Sequence, residues 1–173
     1  MKGRAVKIKG YFRNTENAGI GRWILVFIVR FTAASLLFFI LYILGGSYYA
    51  KLIAYGSKPV LAVFSHDVIV EKAMNVTEDI AINPVVFFSL VAAASGIRLK
   101  RKLQAAALGF LILSAANILT LSTAFLSFYE NSETLWSGAE FLNLTINFFL
   151  PILLWFALLP LEKVLPPGPS GKP

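Results

Sequence analysis

Apolar residues fall in four runs along the chain, each bounded by charge, glycine or proline. The first covers residues 23–44. At about 1.5 Å per residue its length matches the roughly 30 Å of hydrocarbon in a bilayer. It is too long for the h-region of a signal peptide, which runs to about 7–15 residues. Gly45 and Gly46 are expected to end this helix, with Tyr48 and Tyr49 following as an aromatic belt at the interface. Residues 51–64 mix apolar positions with Lys51, Tyr55, Lys58 and Pro59, the pattern of an interfacial amphipathic helix broken near Pro59. From 65 to 83 the chain turns polar and acidic, and the alternation at Val68-Ile69-Val70 and Val76-Thr77 predicts a short strand pair.

Asn83-Pro84 opens the second apolar run, proline being suited to a helix's first turn. That run, 84–97, is slightly short for a span, or else takes in residues upstream of Asn83. A basic turn at 98–102 leads to a third span at 103–128. The polar loop 129–138 leads to a fourth at 139–160. The expected architecture is an all-α integral membrane protein of about four transmembrane helices, with its membrane domain at 23–161 and an outer loop at 45–83. A basic tail, 1–22, precedes it, and a Pro/Gly-rich flexible tail, 162–173, follows.

Composition supports the membrane class. The 173 residues are 57% hydrophobic and 14% charged, whereas soluble domains carry about 25% charged residues. The net charge of +7 does not form a nucleic-acid-binding face, because the cations bracket apolar runs. Six of the sixteen Lys/Arg precede Trp23, and Arg98, Lys100, Arg101 and Lys102 crowd the turn after the second run. The segments 45–83 and 129–138 hold Asp67, Glu71, Glu78, Asp79, Glu130 and Glu133 against only Lys51, Lys58 and Lys72. By the positive-inside rule both termini are then cytoplasmic, in a bacterial inner membrane.

Few residues carry chemistry. With no cysteine, the chain has no disulfide, thiolate ligand or thiol nucleophile. The single histidine, His66, lies among scattered carboxylates whose spacing matches no metal-ligand pattern, so no metal or other cofactor is expected. Arg30, seven residues into the first span, either snorkels to the cytoplasmic headgroups or contacts a substrate or partner. Asn117, Thr120, Ser122, Thr123 and Ser127 put a polar stripe on the third span. Asn143, Thr145 and Asn147 do so on the fourth, with Glu140 at its outer end. Such stripes more often hydrogen-bond between helices than line a transport path.

Arg30-Phe31 in the first span, Asn83-Pro84 opening a short one, and the basic hairpin 98–102 carry a family resemblance. Ala116-Asn117-Ile118-Leu119-Thr120-Leu121 and Phe149-Leu150-Pro151-Ile152-Leu153-Leu154-Trp155 complete it. In this order they resemble the exosortase/archaeosortase membrane transpeptidases, and most closely the small membrane proteins associated with the H-type exosortase, over residues 23–161. The chain departs from the enzymes where their chemistry lies. Thr120 stands where the enzymes have an arginine. Ala94-Ser95-Gly96-Ile97 is similar to their Cys-Ser-Gly-Ile but abuts the basic cytoplasmic turn. No serine has an adjacent base to replace the thiolate.

The resemblance therefore implies a non-catalytic accessory subunit in the sorting or anchoring of exported proteins. Its partners would be membrane lipids and an exosortase-like integral membrane protein or exported substrate, with Arg30, Asn117, Thr120 and Glu140 as contacts. The alternative is a subunit of a small oligomeric transporter or channel.

Overall fold

The computed structural model describes the backbone of residues 3–80 and 82–160, and side-chain surroundings for 21–74, 77 and 82–160. The tail at 162–173 lies outside the described residues, as do the side chains of the basic segment up to Ile20. Among the described residues five helices follow in order: α1 (Gly3–Ala62), α2 (Val70–Ile80), α3 (Asn83–Ala93), α4 (Leu99–Tyr129) and α5 (Glu133–Leu158). Among the described residues there is no strand. The protein is an all-α membrane protein in which α1 from Gly21, α4 and α5 are long and apolar enough to cross a bilayer.

The residues that touch give the direction of each helix. Tyr49 reaches Asn117, Gly56 abuts Ile118, and Leu61 packs with Leu121, so α1 and α4 run in the same sense. Asn83 meets Asn117, Phe87 lies on Gly109, and Ala92 receives Lys102, so α3 runs against α4. Phe128 packs on Trp136, and Leu113 and Leu154 belong to one core cluster at the other end, which makes α5 antiparallel to α4. Phe27 against Trp155 brings the start of the first apolar run to the end of α5.

Three expectations are corrected. Gly45 and Gly46 do not stop the first helix, and residues 51–64 do not form a separate one: α1 continues to Ala62 with Pro59 in its last turn. In lipid a broken helix would leave backbone groups without water, so an isolated glycine pair is tolerated inside the helix. The strand pair is absent, because Val70, Ala73, Met74 and Thr77 recur at helical spacing and α2 packs on α1 and α4. An isolated two-stranded pair is marginally stable, and burying one apolar face of a helix is the better solution. The second run becomes helix only over Asn83–Ala93, eleven residues.

Beyond Ala93 the backbone is extended at Ala94 (ψ 120°) and Arg98 (ψ 140°), with Gly96 in the left-handed region at φ 75°. Glycine has no Cβ to oppose that conformation. The eleven residues of α3 rise only about 16 Å, roughly half a hydrocarbon thickness, and residues 94–98 continue without helix and bend at Gly96. Lys102 Nζ, at 2.8 Å, donates to the Ala92 carbonyl that the early end of α3 leaves without a helical partner.

Packing divides into two clusters. Toward the basic turn, Phe87, Leu90, Val91, Leu113, Leu154 and Trp155 form one core; toward the loops, Ile53, Leu61, Val68, Leu121 and Phe125 form the other. Gly109 lets the Phe87 ring lie against α4: a Cβ there would stand 2.1 Å from Phe87 Cε1.

Candidate functional site

A buried polar knot joins α1, α3 and α4 between the two apolar clusters. Asn83 Nδ2 donates to Asn117 Oδ1 at 2.9 Å, and Asn117 Nδ2 donates back to Asn83 Oδ1 at 3.1 Å. The second Asn117 amide hydrogen goes to the Tyr49 hydroxyl oxygen at 2.9 Å. Both asparagines are fully buried. A primary amide has two donor hydrogens and one acceptor oxygen, and Asn117 uses all three functions in this knot. Such an arrangement fixes axial register, since sliding either helix by one turn would strand two amides in an apolar layer.

Three other polar residues of α4 bond within their own helix. Thr120 donates to the Ala116 carbonyl at 3.1 Å, Thr123 to Leu119 at 2.9 Å and Ser127 to Ala124 at 2.6 Å. Asn147 likewise donates to Asn143 on α5. Of the α4 stripe Asn117, Thr120, Ser122, Thr123 and Ser127, Asn117 is the one side chain that hydrogen-bonds to another helix among the described residues. The Ser122 hydroxyl is buried with no hydrogen-bond partner among the described residues.

Of the four predicted contact residues, Asn117 and Thr120 are buried on α4, whereas Arg30 on α1 and Glu140 on α5 are exposed and lie on separate helices. The fold does not bring the four together. Arg30 lies close enough to Lys102 for its charge to act there, next to the capped end of α3. Asn83 and Tyr49, two members of the knot, were legible only as a helix start and an interface aromatic. Tyr49 in fact turns inward, and its neighbour Tyr48 alone stands out at 75% exposure.

A second polar junction closes the loop end. His66 Nε2 is 3.1 Å from Glu130 Oε1, its ring stacks on Tyr129 at 4.4 Å, and the Tyr129 hydroxyl donates to the Asp67 carbonyl at 2.6 Å. Ser65 (φ 61°) and Asn131 (φ 48°) both adopt left-handed backbone to shape the two loops that meet there. Among the described residues no three His, Asp or Glu side chains converge in a metal-holding group. No family model, curated protein or solved structure matches the chain.

Proposed function

We propose that the protein is a non-catalytic accessory subunit, similar to the exosortase-associated membrane proteins, that binds another integral membrane protein or an exported substrate during sorting or anchoring. In this reading it crosses a bacterial inner membrane four times, with α3 and the non-helical residues 94–98 as the second crossing. Both termini are cytoplasmic in this reading, which the basic residues at the 98–102 turn and before Trp23 support.

The observation that carries the reading is where the polar side chains of the membrane-crossing helices point. Asn117 is committed to Asn83 and Tyr49, and Thr120, Thr123 and Ser127 to their own backbone. What remains for a neighbour is an apolar helix surface carrying Arg30 on α1 and Glu140 on α5. Those two residues are the contacts retained; Asn117 and Thr120 act as structural residues. A transporter draws less support, because a conducting path needs polar groups that face it, and the α4 stripe is turned into the protein.

The test is recovery of the tagged full-length protein from its native host in mild detergent. Co-elution of an exosortase-like transpeptidase, or of an exported protein bearing a C-terminal sorting tail, supports the reading. Arg30→Gln or Glu140→Gln should then weaken the recovery. A clean homo-oligomer that conducts ions in liposomes would overturn it in favour of the transporter.

A further inference from the structure

The basic end of the bundle holds cations and, among the described residues, no counter-charge. The carboxylates whose surroundings are described, Asp67, Glu71, Glu130, Glu133 and Glu140, lie in or next to the loops at the other end. Two cations at the basic end come from different helices and meet where α3 stops. Phe38 of α1 packs on Phe88 of α3, with ring centroids 5.6 Å apart, and these two helices run in opposite senses. Arg30 stands eight residues, about 12 Å, before Phe38, which puts it level with Ala93 and the residues just after it. Its neighbour Phe31 packs against the cluster that holds Val91 and Ala94. Lys102 reaches the same place from α4, its Nζ 2.8 Å from the Ala92 carbonyl oxygen. The Arg30 charge is near enough to act on Lys102.

Arg30 makes no hydrogen bond or ion pair among the described residues, and Lys102 spends one of its three donors on Ala92. Two like charges held close together repel, and the described chain puts no anion between them. Beside them Ser95, Gly96 and Ile97 have left the helix, and their backbone N–H groups find no acceptor among the described residues. Backbone donors at membrane depth need a partner. The place thus offers donors and positive charge without acceptors, and its complement is an anion. Depth selects which one. Arg30 lies seven residues, about 10 Å, into the first apolar run, and its neighbours Val26 and Val29 are exposed. A free ion would have to leave water to reach that surface, whereas a lipid phosphate arrives with acyl chains that cover the exposed valines.

We propose that Arg30 and Lys102 bind the phosphate of an anionic membrane lipid at the end of α3, with an acyl chain along the exposed apolar side of α1. The two cations hold the phosphate from two helices, and the short α3 leaves the space at headgroup depth that it occupies. The site deepens the accessory-subunit reading by giving Arg30 a lipid through which a partner would be met. It is measured on the purified protein with no partner present, so failure of either assignment leaves the other standing.

The test is lipid retention by the full-length protein, taken from nanodiscs of equal parts phosphatidylglycerol and phosphatidylcholine into mild detergent, with mass spectrometry of the lipid that stays bound. Wild-type protein should retain phosphatidylglycerol preferentially. Arg30→Gln and Lys102→Gln should each lower that preference about fivefold, the equivalent of about 1 kcal/mol per cation at a membrane surface. Glutamine at 102 keeps an amide donor for Ala92 while removing the charge, and Arg30→Lys, which keeps the charge, should hold the preference within about twofold of wild type. Lys100→Gln is the control: it lies two residues from Lys102 but about 200° around α4, and should also leave the preference within about twofold. Helical content by circular dichroism verifies that each variant is folded. An equal loss from Lys100→Gln would show diffuse attraction to a basic surface and overturn the site. Displacement of the lipid by inorganic phosphate alone would show recognition of the free anion and overturn the lipid assignment, as would a wild type with no preference.

Discussion

Substituting Asn117 by alanine tests whether the knot holds three helices in register. The side chain makes three interhelical hydrogen bonds, at 2.9, 3.1 and 2.9 Å, to Asn83 and Tyr49. Interhelical hydrogen bonds in membrane proteins contribute about 0.6 kcal/mol on average and reach about 1.7 kcal/mol. Leaving a buried polar group unpaired costs about 1–3 kcal/mol. Asn83 is 0% exposed, so its amide cannot turn to water once Asn117 is gone. The expected loss for Asn117→Ala is therefore about 2 kcal/mol, dominated by the stranded Asn83 amide. Removing both amides strands neither, so Asn83→Ala/Asn117→Ala should cost about 1 kcal/mol less than the sum of the single substitutions. The assay is reversible unfolding in mixed micelles with increasing denaturing detergent, read by tryptophan fluorescence. A loss below about 0.5 kcal/mol for Asn117→Ala, or strict additivity of the pair, would refute the argument.

Gly109→Ala drives a Cβ to within 2.2 Å of two Phe87 ring atoms and should cost about 1–3 kcal/mol, with Phe87→Leu on the same chain recovering much of it in the same assay. Thr120→Val should leave unfolding within about 0.5 kcal/mol of wild type, because the hydroxyl serves only its own Ala116 carbonyl. Lys102→Met deprives the Ala92 carbonyl of its donor and should destabilise by about 1 kcal/mol, with faster hydrogen exchange confined to the end of α3. Glu130→Ala breaks a solvent-exposed contact with His66 and should cost at most about 1 kcal/mol by thermal unfolding.

Hydropathy and charge were enough to read the class of protein. Long apolar runs must be helical where no water can bond the backbone, and α4 lies within four residues of its expected bounds, whereas α5 begins at Glu133, six residues before the expected 139 and inside the expected polar loop, where Ser132 caps it. Asn83-Pro84 was legible as a helix start for the same local reason, proline's fixed φ. The candidate site was legible only in part. Asn117 stood out as a polar residue in an apolar run, but nothing along the chain linked it to Asn83, 34 residues earlier, or to Tyr49, 68 residues earlier.

The sequence alone determined an α-helical chain for lipid surroundings, with its cations concentrated at one end of the apolar runs. Tertiary structure decided what the local signals meant. Gly45-Gly46, a stop signal in water, became the floor of a groove within α1, because intrahelical hydrogen bonding is obligatory at that depth. The alternation near Val70 became a helix once α1 and α4 supplied a surface for its apolar face. Three polar side chains on three helices became one satisfied network, because a buried amide's cost depends on which neighbours the fold delivers.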